Sequence, residues 1–347
     1  MTTHMARICA GVLLLGLAGS NVALAQTAKS AGAKSQDAKT GDTGPAKLNP
    51  PIFATPPVPG PVNGKGDVAF GAYQAGFFIT AANEAIKRVR AGTDPAALTL
   101  LGELYSHGFG VPYDPSKAAN YYLLAARAGD PNAMFALGMM RLTGTGQEPN
   151  DVEAARWFEQ AATKGHASAA YNLGLLYLQG RGVAPIPATA ANWFRKASDA
   201  GIADAQYALS VMLREGNGVA PDKAEAMRLL AAAAQQDHVA AQVELAIATF
   251  NGNGVEKNEA AAALLFRKAA LQGNAIAQNR YARLLSAGRG IAQDQVAAAS
   301  WHLLAKARGL GDPYLDGVVA ALPQDARAKA QATARKWAVN TPGVTGL

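Results

Sequence analysis

Leu101–Val111 reads LGELYSHGFGV, and the chain returns to that phrase five more times: LGMMRLTGTGQ from Leu137, LGLLYLQGRGV from Leu173, LSVMLREGNGV from Leu209, LAIATFNGNGV from Leu245 and YARLLSAGRGI from Tyr281. Each begins 36 residues after the one before, so the period is constant through Arg308. A fixed period of this length marks a solenoid, in which each unit buries its apolar face only by stacking on its neighbours. Function is therefore expected on a surface rather than in a cleft.

Within one unit, Gly165 to Ala197, the residues Ala169, Leu173, Leu176 and Gly180 follow the i, i+4, i+7, i+11 rule and draw one stripe along a first helix. Gly180 and Gly182 end that helix, and all the equivalent loop positions in the other units are also glycine. Such uniformity predicts positive backbone φ or close backbone approach, either of which excludes a Cβ. A second helix starts a few residues later, with Asp114, Asn150, Asp222, Asn258 and Asp294 in one N-cap slot and Ile186-Pro187 as the exception. Along it come an alanine pair (Ala154-Ala155) and a bulky slot holding Tyr121, Trp157, Trp193, Leu229, Leu265 and Trp301, expected to be core. The first helices have caps of their own, Asp94-Pro95, Asp130-Pro131 and Asp312-Pro313. His166 and His238 occupy the same capping slot, so neither histidine needs a ligand to explain it.

In this order, LGxxYxxGxGV, a capping Asp or Asn, AAxWF, KAAxxG and a return to AxAxxxLG, the chain resembles the Sel1-like repeat, a relative of the tetratricopeptide repeat with a longer, Gly-rich loop. The resemblance covers Asp94 to about Asp316. It departs at Arg141, Gln147 and Asp237, where other units carry a tyrosine, a loop valine and a helix-ending glycine. It implies an all-α, right-handed α-α superhelical solenoid of about six 36-residue hairpins with degenerate terminal caps. It also implies a protein-binding scaffold or adaptor, of a kind associated with signalling and with envelope or exopolysaccharide regulation.

The flanks read differently. Residues 1–25 carry Arg7, the apolar run ICAGVLLLGLAG and the small-x-small site Ala23-Leu24-Ala25, which together predict a cleaved secretory signal and a periplasmic or secreted product. The apolar run is shorter than the ~20 residues of a membrane span, so no span is expected after cleavage. The single cysteine, Cys9, leaves with the signal, and stability then rests on packing without a disulfide. Residues 26–66 lack hydrophobic periodicity and are rich in Ala, Lys, Gly and Pro, the composition of a disordered tether. Its stretch PPIFATPPVPGP, from Pro50, favours polyproline geometry, as a spacer or as a ligand. Residues 67–93 form a degenerate helical hairpin broken at Gly76, residues 94–316 the solenoid, 317–340 a capping helix whose polar outer face is expected to be Arg327, Lys329, Arg335 and Lys336, and 341–347 a loose tail.

Charge argues against a nucleic-acid partner: 32 Lys and Arg stand against 25 Asp and Glu, and the formal +7 is spread thinly instead of clustered. The histidines at 107, 166, 238 and 302 are too scattered for a metal pair on one helix turn, and there is neither GxSxG nor GxxxxGK[ST]. No catalytic residue, metal or cofactor is expected. By analogy with tetratricopeptide arrays, the resemblance makes the first helices line a concave face that binds segments of partner proteins in the periplasm or envelope. Counted around those helices, the open side holds Glu103, His107, Met139, Asn172, Gln179, Asp204, Glu215, Glu244, Asn251, Arg280 and Arg283. Acidic residues fall in the first and middle units and arginines at the far end, a polarity that would orient an extended peptide. The alternative is a structural envelope protein acting through the proline-rich tether at the cell wall.

Overall fold

The computed structural model describes residues 67–339, and among these every regular element is an α-helix. The expected signal, tether and tail lie outside the described residues. The helices are α1 (Val68–Gln74), α2 (Phe78–Ala91), α3 (Pro95–His107), α4 (Pro115–Arg127), α5 (Pro131–Thr143), α6 (Asp151–Thr163), α7 (Ala167–Gln179) and α8 (Pro187–Asp199). They continue with α9 (Ala203–Glu215), α10 (Lys223–Gln235), α11 (Val239–Asn251), α12 (Glu259–Leu271), α13 (Ala275–Ala287), α14 (Gln295–Ala307), α15 (Pro313–Ala321) and α16 (Gln324–Val339). Helices α3 to α14 are six first-helix and second-helix pairs, so the molecule is a helical solenoid.

The described residues divide into two compact units. One runs through Ala169 and includes Arg181–Val183; the other comprises Ala170–Gly180 and the residues from Ala184 onward. In the first, alanines and leucines of α2 and α3 (Ala81, Ala85, Ala97, Leu101, Leu104) form a buried cluster with Phe78, Phe109 and Tyr121 packed against it. In the second, Phe266, Tyr281, Leu285, Trp301 and Leu304 form the core beside Leu315, and α16 docks on it through Trp337, whose ring lies 4.5 Å from that of Trp301.

The capping signals do what their chemistry requires. Asp94, Asp114, Asn150, Asp222, Asn258 and Asp294 each accept a hydrogen bond from the backbone N–H three residues on, at 2.9–3.1 Å. Each such cap is worth about 1 kcal/mol against alanine. His166 and His238 cap in the same way through Nδ1, at 3.1 Å from the N–H groups of Ala169 and Ala241. Burial pushes the His166 imidazole down from its ordinary pKa, which favours the neutral ring that such an acceptor needs.

All the loop glycines of the six repeats have positive φ. At Gly182, with φ of +68°, a Cβ would also fall 2.3 Å from the backbone of Asp151, at the start of the preceding second helix. Left-handed backbone and stacking contact coincide there, so both reasons for glycine hold. Arg181, beside it, clasps the same Asp151 through two bonds of 2.8 and 2.9 Å. Asp237, which replaces a helix-ending glycine, is the one non-glycine with positive φ among the described residues, at +65°. Lys268 and the Gln242 amide hold its carboxylate in place.

Two expectations are corrected. The bulky slot is core only in part: Leu229 and Trp301 are buried as expected, but Tyr121, Trp157, Trp193 and Leu265 are half-buried, and it is the residue after the slot, Tyr122, Phe158, Phe194, Leu230, Phe266 or His302, that is buried in every hairpin. The glycine of the LG pair is what admits that side chain, since a Cβ on Gly102, Gly138 or Gly174 would lie 2.5–2.7 Å from the ring of Tyr122, Phe158 or Phe194. At the far end, Lys329, Arg335 and Lys336 are exposed on α16 as a solvated cap requires. Arg327 is not part of that face: it turns back to donate to the carbonyls of Ala320 and Leu322 at 2.7 and 3.1 Å, closing the end of α15.

Candidate functional site

The first helices carry the candidate residues, and within each unit their side chains fall into three groups. Some are used up by the fold. Asn172 is 2% exposed, as are its equivalents Leu100 and Ala208 to within a few per cent, so it belongs to the interior and not to an open face. Glu103 is largely enclosed: its Oε2 has no hydrogen-bond partner and lies 3.6 Å from Nδ1 of His107, and burial pushes its carboxyl up from the ordinary pKa. His107 stacks on Phe109 and meets Ser106 Oγ at 2.8 Å, again through Nδ1. Serine and carboxylate share one ring nitrogen there. A nucleophile triad needs them on opposite nitrogens, so the trio is not arranged for acyl transfer.

A second group reaches the surface, Arg283 exposed and Glu244 and Asp204 half-buried, but is already paired. Glu244 accepts from the Tyr207 hydroxyl at 2.7 Å and from Arg214 at 2.5 Å, which neutralises the acidic residue expected to mark the middle units. Arg283 makes a fork on Asp312, at 2.6 and 2.8 Å, and lies 5.3 Å from the Tyr314 ring. Burial by itself would raise the pKa of Asp312, but Arg283 and the Asn279 amide hold it down to about 2. Asp204 approaches His238 Nε2 at 3.5 Å.

The third group has no such attachments. Met139 and Gln179 are half-buried, and Glu215, Asn251 and Arg280 are exposed. Glu215 and Arg280 hold no ion pair or side-chain hydrogen bond among the described residues.

In the second unit, three of the candidates come together. Asn251, Arg280 and Arg283 line a groove of about 360 Å³ between α11 and α13, joined by Arg289 from the loop after α13. Below them lie Phe266 and Leu284, both buried, with Phe250 half-buried beside them, while Ile247 and Tyr314 stand exposed at the rim. Arg289 is paired with Glu259 and rests 4.4 Å from the Phe250 ring. The apolar part of this groove was not marked by the repeat pattern. Its only signal is that the slot holding Ser106, Leu142, Leu178, Arg214 and Ser286 elsewhere holds phenylalanine at 250. Among the described residues no group of three or more His, Cys, Asp or Glu could hold a metal ion, and no helix is long and apolar enough to cross a membrane.

Comparison with known proteins agrees with this architecture. The chain is similar over 69% of its length to a Sel1 repeat protein of Oxalobacter formigenes, with 30% identity, 97% of that chain covered and a TM-score of 0.62. A weaker likeness, at 20% identity and a TM-score of 0.45, is to a protective antigen of uropathogenic Escherichia coli strains with an SLR fold, covering 78% of this chain and 84% of that one. No functionally curated protein matches significantly. The Sel1 repeat itself matches six times, at residues 95–130, 131–166, 167–202, 203–238, 239–274 and 275–310, without a gap, and the chain belongs to the Sel1 repeat family.

Proposed function

We propose that the chain is an exported, non-enzymatic adaptor of the bacterial envelope that holds a segment of a partner protein against the open, concave side of its first helices. Repeats of this family generally mediate protein–protein interaction. One observation carries the assignment of the face. The residues that recur from unit to unit are consumed by folding: the alanines at 97, 133, 169, 205, 241 and 277 are buried, and the loop glycines serve backbone geometry. What remains exposed on the first helices differs from unit to unit, and at Glu215 and Arg280 it makes no ion pair or side-chain hydrogen bond among the described residues. Export follows from the leader features of residues 1–25, and a role in signalling or in envelope or exopolysaccharide regulation from the family resemblance.

The test is capture from a bacterial envelope extract by the mature chain, by a Glu215→Lys, Arg280→Glu double variant, and by a chain lacking residues 26–66. Both substitutions are exposed, so the double variant is expected to melt within about 0.5 kcal/mol per site of the parent and to lose the partner. If the double variant captures the same protein and the truncated chain does not, the proline-rich segment is the functional element and the face is not.

A further inference from the structure

We infer that the groove between α11 and α13 seats one kind of ligand, an extended peptide segment that offers a large apolar side chain with a carboxylate next to it. The inference rests on the first-helix side being an interaction face, and it names one place on that face and the chemistry it reads.

The neighbouring gap shows why this one is open. Between α9 and α11 the corresponding slots hold Arg214 and Glu244, whose side chains close on each other in an ion pair. Between α11 and α13 those slots hold Phe250 and Arg280, which do not pair. The space that an ion pair fills one repeat earlier is left as a groove with an apolar base and a cation on its wall. At about 360 Å³ it lies at the lower end of ligand-pocket volumes, roughly 300–1,000 Å³.

Charge then selects the occupant. Three guanidinium groups border the groove and no acidic side chain lines it. Two of the three are already neutralised within the chain, Arg283 by Asp312 and Arg289 by Glu259, and both also rest against the faces of aromatic rings, Tyr314 and Phe250. Arg280 alone is uncompensated. One free guanidinium beside a desolvating apolar surface matches one carboxylate, which it can grip in a two-bond fork. It does not supply the several cations that a phosphate-rich polymer needs. Buried Phe266 and Leu284, with Ile247 and Tyr314 at the rim, offer the complementary contact to an aromatic or long aliphatic side chain. A lysine-rich segment is disfavoured by the same arginines.

The probe is a displayed library of random dodecapeptides, panned on the full chain, with the retained sequences synthesised as fluorophore-labelled peptides and titrated by anisotropy. The retained peptides are expected to place an aspartate, a glutamate or the terminal carboxylate within two residues of a phenylalanine, leucine or similar side chain. Arg280→Glu should weaken them by about tenfold or more, Arg280→Lys by less, and Glu215→Lys, outside the groove, by little. Because Arg280 is exposed and unpartnered, its variants should melt like the parent. Retained peptides that lack this pairing, or that ignore Arg280→Glu, overturn the groove assignment and leave the interaction face standing. A chain that retains no peptide at all overturns both.

Discussion

Asp312 shows how much one side chain can carry where a repeat array ends. Its carboxylate caps α15 by accepting from the Tyr314 N–H at 3.1 Å, takes the Arg283 fork, and accepts from Asn279 at 2.8 Å, all while 5% exposed. Burial opposes its charge and these donors outweigh the burial, so its pKa in the folded chain is about 2, below the ordinary value of 3.8. A depressed carboxylate pKa stabilises the fold above the unfolded value and loses that contribution as pH falls through the folded one. The window is therefore roughly pH 4 down to 2, and the amount about 2 kcal/mol. Asp312→Asn keeps a capping side chain but loses the charge, and should cost about 1–3 kcal/mol at neutral pH. Thermal melts of parent and variant from pH 7 to 2 should converge below pH 4. Curves that stay parallel across that window would show that Asp312 titrates normally.

At the scale of the helix pair, the first helix yields to the second at one position. Gly138 lies in α5 where a methyl group would meet the Phe158 ring at 2.5 Å, and Gly102 and Gly174 stand in the same relation to Tyr122 and Phe194. In the later repeats the glycine is replaced: Ser210 stands with Leu230 and Ala282 with His302, where the partner differs too, while Ala246 stands with Phe266, so one repeat has adjusted to hold a methyl group beside a phenylalanine. Alanine is favoured over glycine in a helix by roughly 1 kcal/mol, whereas overpacking costs about 1–3 kcal/mol. Gly138→Ala should thus destabilise the parent and turn neutral or stabilising in a Phe158→Leu background, a change of sign readable from chemical denaturation of the four proteins. Additive effects would mean that the ring has room to move and that the glycine serves another purpose. The period, the caps and the loop glycines were legible in the sequence because each is a local signal repeated six times. The filling residue was misplaced because bulk was weighed above angle. Ala154, Phe158 and Ala161 lie on one stripe at i, i+4 and i+7, and Trp157 sits one residue, about 100°, away from it.

For the molecule as a whole, stacking sets what a sequence can disclose about the face. Arg181 pairs with Asp151, Arg214 with Glu244 and Arg289 with Glu259, each about 30 residues apart, and the Gln236 and Gln272 amides reach Gln206 and Gln242 across the same interval. Counting around a single helix placed Glu244 and Arg283 on the open side, but it could not show that neighbouring hairpins had already claimed their charges. Asn172 was lost for the same reason, since whether its slot is buried or open depends on what is stacked beside it. The proposed function requires that partner contact lie along the first helices and not the second. It is tested most directly by placing the photocrosslinker p-benzoylphenylalanine at Met139, Glu215 or Arg280 on first helices, and at the exposed second-helix positions Gln160, Asn192 or Leu264, in the full chain expressed in a bacterial host. Irradiation is expected to join the chain to a discrete protein from the first-helix positions and not from the second. Crosslinks that form equally from both sets, or from the second helices alone, would contradict it.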